Sequence, residues 1–134
     1  MESISYFPGD ILRETAQEIR RSLEGKIEGL TVDKAVIGRF FKGVKLNNGV
    51  GGMSLTPIKT NPELVCCPSS ACVMPASGKL KGRRVTQFLD DMFADNPLKR
   101  TMGIVVMNAL STVCWQERPP KSYEIEIAWT SSTR

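Results

Sequence analysis

The chain has no histidine among its 134 residues, and this absence removes much familiar chemistry. Ser-His-Asp and Cys-His arrangements, the two-histidine zinc helix and an imidazole proton shuttle are all excluded. Any chemistry must come from carboxylates, lysine, cysteine, a bound metal or a cofactor. Long apolar runs are missing too. The longest, Met102 to Met107, is well short of the roughly 18 residues that a membrane span needs. The amino end, Met1-Glu2-Ser3, has no basic region followed by an apolar stretch, so no secretory signal is visible. The four cysteines are therefore expected as reduced thiols in a cytoplasmic protein.

What is present fits one ordinary domain. Hydrophobic residues make up 41% and charged residues 24%, a globular profile in a chain long enough to bury a core without staples. The net charge of +4 and pI near 9.0 arise from 18 basic and 14 acidic residues. Only Lys79-Leu80-Lys81-Gly82-Arg83-Arg84 is locally dense. It lacks the interleaved aromatics of a nucleic-acid surface. It is expected to be a solvated loop running into a helix, with neither nucleic acid nor membrane as a partner.

Periodicity divides the chain into elements. Leu12, Ala16, Ile19 and Leu23 lie at helical spacing, predicting a helix over Asp10 to Glu24 with Gly25 at its C-terminal cap. Three strands are expected next: Thr31 to Ile37, Phe40 to Leu46 and Val50 to Leu55. In the second, Phe40, Val44 and Leu46 fall on one face beside Lys42. Asn48-Gly49 between the last two is a strong hairpin signal, read as a type I′ turn. Val85, Phe88, Leu89 and Met92 then form a one-sided helical stripe. Asn96-Pro97 opens a further helix, with Asn96 as N-cap and Pro97 at its first position. From Met102 to Leu110 that helix is apolar nearly all round, marking it as the buried central one. A last strand, Ser122 to Thr130, alternates Tyr123, Ile125, Ile127 and Trp129 with Glu124, Glu126 and Ala128. The expected core joins Ile37, Val44, Val85, Phe88, Leu89, Val105, Val106 and Leu110.

Three groups of residues are candidates for function. Cys66, Cys67 and Cys72 form a Cys-Cys-x4-Cys cluster within a long segment, Thr56 to Gly82, that has no sustained periodicity. Thiolates are soft ligands for Zn²⁺, Cu⁺ or an iron–sulfur cluster, and Cys114 or an outside ligand would complete four. The spacing matches no standard zinc ribbon, and the alternative is small, buried or idle cysteines. Asn108 is a polar exception on an apolar helix, either a ligand-facing amide or a structural one bonded to a backbone. Gly51-Gly52 inside a strand allows a ligand to approach the backbone, or marks a bulge or tight helix–sheet packing. No catalytic residue is assigned.

Ile37-Gly38, Gly43-Val44, Asn48-Gly49-Val50-Gly51, Gly78-Lys79-Leu80-Lys81-Gly82, and Asp95-Asn96-Pro97-Leu98 followed by Gly103 and Asn108-Ala109 carry a resemblance. From about Asp10 to Val113 the chain resembles the amino-terminal domain of the heavy-metal-chelation family, itself similar to the small amino-terminal domain of enolase. The resemblance implies an α+β fold with a small antiparallel sheet packed on helices; the expected sheet is a three-strand meander plus the C-terminal strand read from its own alternation. It also implies a Rossmann-like second domain with a site in the cleft between the two. After Cys114 about twenty residues follow, fewer than the roughly thirty of one βαβ unit. A homodimer, or a complex with a separate Rossmann-like protein, is therefore expected, the more so because the apolar face of the tail strand needs a partner. The leading functional expectation is a metal- or metal-chelate-binding module acting with such a partner, its cofactor a thiophilic metal ion. The alternatives are a non-catalytic interaction domain pairing through its C-terminal strand, and an enzyme using cysteine or a borrowed cofactor.

Overall fold

Two periodicities, 3.6 in the helices and 2 in the strands, shape a computed structural model that describes residues 8–38, 40–56 and 79–117. The architecture is α+β: helix α1 (Pro8–Ser22), a 3₁₀ turn (Ile27–Gly29), strands β1 (Val32–Ile37), β2 (Phe41–Leu46) and β3 (Gly51–Leu55), then helices α2 (Val85–Asp91) and α3 (Pro97–Glu117). The three strands form one antiparallel sheet in the order β1-β2-β3. The expected tail strand, residues 122 to 130, lies outside the described residues, as do Cys66, Cys67 and Cys72. No helix among the described residues is long and apolar enough to cross a membrane.

The stripe expected of α1 is buried: Ala16, Ile19 and, just past the helix end, Leu23 are in the core, with Leu12 against them. It stops where Gly25 takes φ +83°, and the N–H groups of Lys26 and Ile27 both return to the Leu23 carbonyl, at 2.9 and 2.8 Å. Asn47 then stitches the hairpin to this turn. Its amide nitrogen donates to the Gly29 carbonyl at 2.9 Å, and its side-chain oxygen accepts from Thr31 N at 3.3 Å.

The β2–β3 loop differs from the expected two-residue type I′ turn. Lys45 opposes Gly51, Leu46 N donates to Val50 O, and Gly49 N donates to Leu46 O. This is a three-residue loop, Asn47-Asn48-Gly49, and Gly49 at φ +89° takes the left-handed conformation that such loops require. The pairing of β2 with β3 is regular, so Gly51-Gly52 is not a bulge. The bulge is in β1, between Val32 and Lys34. The extra residue brings Val32, and not Asp33, opposite Leu46 on the inner face, where both apolar side chains are fully buried.

α3 lies over β2 and β3 and packs on α2 and α1. Its start is set by Asn96, whose side-chain oxygen accepts from Leu98 N at 2.9 Å and Lys99 N at 3.4 Å. Met102, Val105, Val106, Ala109, Leu110 and Val113 are buried along its length, facing sheet and helices on different sides. Two glycines permit this. A Cβ on Gly52 would lie 2.5 Å from both Ala109 N and Val105 O, and one on Gly103 would lie 2.5 Å from Phe88 O. Helix backbone touches strand backbone at the first, and helix touches helix at the second.

Of the expected core, Val44, Val85, Phe88, Leu89, Val105, Val106 and Leu110 are buried together. Ile37 is the correction, at 40% exposed. It shares the inner face with Lys42, but it sits on β1 near the end of the sheet, and α3 crosses β2 and β3 instead. Phe40 is also corrected. It falls in the β1–β2 turn before β2 begins and is exposed.

Two stability measurements check this packing. Phe88→Ala should lower the unfolding free energy by about 3 to 5 kcal/mol, because the site is enclosed by α3 and cannot collapse freely. Gly52→Ala should cost about 1 to 3 kcal/mol in chemical denaturation, since the clashing atoms are backbone. The neighbouring Gly51→Ala, whose Cβ would come no nearer than 3.4 Å to Val44 O, should be close to neutral.

Candidate functional site

Sequence candidates Gly51, Gly52 and Asn108 come together on the side of β3 that no described strand pairs with, around a hollow of about 650 Å³. At the two ends of the β2–β3 ladder, hydrogen bonds join Leu46 N to Val50 O and Thr56 N to Phe40 O. Alternation then makes Gly43–Met53 a non-bonded pair and turns the Met53 carbonyl away from β2. Asn108, half-buried on α3, donates its amide hydrogen to that carbonyl at 2.7 Å. The amide thus occupies an acceptor that an added strand would otherwise use. Thr112, one turn on, donates to the Asn108 carbonyl at 3.3 Å. Gly52 faces α3, while Gly51 faces the outer surface of the sheet.

That outer surface is the side away from α3. Across the three strands it carries the row Val36–Gly43–Met53, then Lys34–Lys45–Gly51 toward the Asn47 loop and Phe41–Leu55 at the other end. Val36 and Leu55 are each 67% exposed, and Phe41 and Met53 are also open to solvent. Lys34 and Lys45 stand directly opposite each other beside the hollow.

The basic segment before α2 is built into the fold more than its composition suggests. Arg83 is half-buried, pairs with Asp91 at 3.2 Å and lies 4.8 Å above the Phe88 ring. Lys81 and Arg84 reach Asp33 and Glu28, each at 3.9 Å. Asp90 instead accepts from Arg20 of α1 at 2.7 Å. A second hollow, of about 640 Å³, lies between α1 and α3 and includes Glu14, Glu18, Cys114 and Trp115. Among the described residues no group of three or more cysteines and carboxylates is placed to hold a metal ion.

Sequence reasoning gave Lys42 no role. It is fully buried on the inner face of β2, where its ammonium donates to Thr101 Oγ1 at 2.7 Å. Thr101 in turn donates to the Leu98 carbonyl at 3.0 Å. No carboxylate pairs with it among the described residues, and burial lowers its pKa from the ordinary 10.5. The signal was there, because Lys42 shares the parity of Val44 and Leu46, but parity alone does not say that a helix covers it.

The sign of the pH effect follows from that shift. In the window between the lowered folded value and 10.5 the unfolded chain holds more protons, so stability rises with pH there. Below the window the buried charge is a constant cost. Lys42→Met should therefore be more stable than the parent at pH 7, with the gap closing as pH approaches 10.5. Urea denaturation at a series of pH values checks this, and a gap independent of pH would contradict it.

No curated protein matches the chain. A solved structure, that of a protein of unknown function from the DUF364 family of Desulfitobacterium hafniense, is similar with a TM-score of 0.52 and 16% identity. The match covers 78% of this chain and 39% of that one, so the chain spans about two fifths of that protein's length. At such identity the likeness speaks for the fold alone. A family model described as "Putative heavy-metal chelation" matches residues 20–111, well over half of the sequence, and the chain therefore belongs to that family.

Proposed function

We propose that this chain is a heavy-metal-handling module whose cargo is a thiophilic metal ion or its complex, held through Cys66, Cys67 and Cys72. The observation that carries the reading is the family match over residues 20–111, which contains the Cys-Cys-x4-Cys cluster. Three thiols within seven positions, Cys66, Cys67 and Cys72, supply the soft donors that such a cargo takes. Cys114, half-buried on α3, is the fourth thiol. Three or four thiolates without imidazole select soft ions over Mg²⁺ or Ca²⁺.

A second reading is an interaction module, with a Rossmann-like protein or a second copy as the partner and residues 122 to 130, whose alternation predicts a strand, as the pairing element. It is favoured by the apolar row ends on the outer sheet face, where Val36, Phe41, Met53 and Leu55 are exposed together. The enolase-like detail of the fold belongs with these proposals. Its support is the order helix, three-strand meander, two helices.

Metal analysis tests the first reading. Protein purified under reducing conditions and reconstituted with Zn²⁺ or Cd²⁺ should carry near-stoichiometric metal, with a thiolate-to-Cd²⁺ charge-transfer band in the ultraviolet. The Cys66→Ser/Cys67→Ser/Cys72→Ser variant should lose both while keeping its circular dichroism. Parent protein that stays metal-free and of unchanged thermal stability after reconstitution would sink the reading.

A further inference from the structure

Seven described cations (Arg13, Arg20, Arg21, Lys26, Lys81, Arg83 and Arg84) have a carboxylate partner. Lys34 and Lys45 are arranged otherwise. They are directly opposed across β1 and β2, both exposed on the outer face, and neither forms an ion pair among the described residues; the adjacent Asp33 reaches Lys81 instead, at 3.9 Å. Opposed cross-strand side chains have Cβ atoms about 5 Å apart, and like charges at that spacing repel. Strand pairing thus sets two lysines side by side with no ion pair to either among the described residues. An anion placed between them would relieve the repulsion.

The surroundings define the ligand further. Gly43 and Gly51 leave the sheet bare beside the lysines, and this bare patch is part of the 650 Å³ hollow. Val36 and Met53 flank it as apolar shoulders. A hollow of this size suits a small organic molecule, and a bare inorganic ion would leave both shoulders unused. We propose that this hollow binds a small organic oxyanion, a carboxylate or phosphate ester on a compact apolar body, between Lys34 and Lys45. The ammonium groups hold the charged end, and the glycine floor lets the body lie flat against the backbone. The site uses none of the cysteines and stands independently of the metal reading.

Amide chemical-shift titration of the full chain tests it, with phenyl phosphate and inorganic phosphate as probes and phosphatidylserine vesicles as the control. Phenyl phosphate should shift the amides of Gly43, Gly51 and Gly52 and bind at least about tenfold more tightly than inorganic phosphate. Its affinity should fall with added salt, since the charges are exposed. Lys34→Ala/Lys45→Ala should weaken it by about tenfold or more. Gly51→Val should block it with both lysines in place, because a Cβ there points into the hollow and meets only Val44 O, at 3.4 Å. Equal affinity for the two phosphates, binding that survives Gly51→Val, or shifts scattered over other surface lysines would overturn the proposal. So would vesicle binding without any response to phenyl phosphate.

Discussion

The backbone of β3 and the backbone of α3 meet at Gly52, closer than any side chain allows, and much of the molecule is arranged around that contact. With a hypothetical Cβ only 2.5 Å from Ala109 N and Val105 O, helix and sheet are fixed in both separation and register. The helix is held again on its other side by Gly103 against α2. A helix pinned between a sheet and a second helix needs apolar groups in several directions, which is why α3 lacks a polar face from Met102 to Leu110. The same contact brings Asn108 to the edge of β3, where its amide meets the Met53 carbonyl.

The electrostatics follow from that frame. The first turns of α3 close over β2 and trap Lys42 with Thr101 as its hydrogen-bond partner, so burial makes its charge costly. The Lys79–Arg84 segment takes the opposite course: Lys81, Arg83 and Arg84 find acids on β1, α2 and the 3₁₀ turn. Lys34 and Lys45 follow neither pattern. They lie on the face that α3 leaves open, held side by side by strand pairing alone. The cysteines that support the metal reading and the lysines that support the anion site thus belong to different segments, and the two readings can fail separately.

The site was only partly legible in the sequence. Asn108, Gly51 and Gly52 stood out because each breaks the pattern of its element, and all three lie around one hollow. Lys34 and Lys45 broke no pattern. Charged residues on the outer parity of a half-buried sheet are ordinary, and their significance depends on being opposite each other. Lys42 was visible on the inward parity, yet nothing local said that a helix would cover it.

The sequence by itself determined the elements and their inward faces. The stripes of α1 and α2, the cap at Asn96 and the central character of α3 are local periodicities, set by the 3.6-residue turn and the hydrogen-bonding needs of helix ends. Only the tertiary structure decided which of those inward faces would be covered. Ile37 is apolar and on the inner parity, but it remains 40% exposed because α3 crosses β2 and β3. Lys42 is charged on the same face and fully buried because α3 begins there. Periodicity states which way a side chain points. What it then meets depends on where a helix more than fifty residues away in sequence crosses the sheet, and here two glycines set that position.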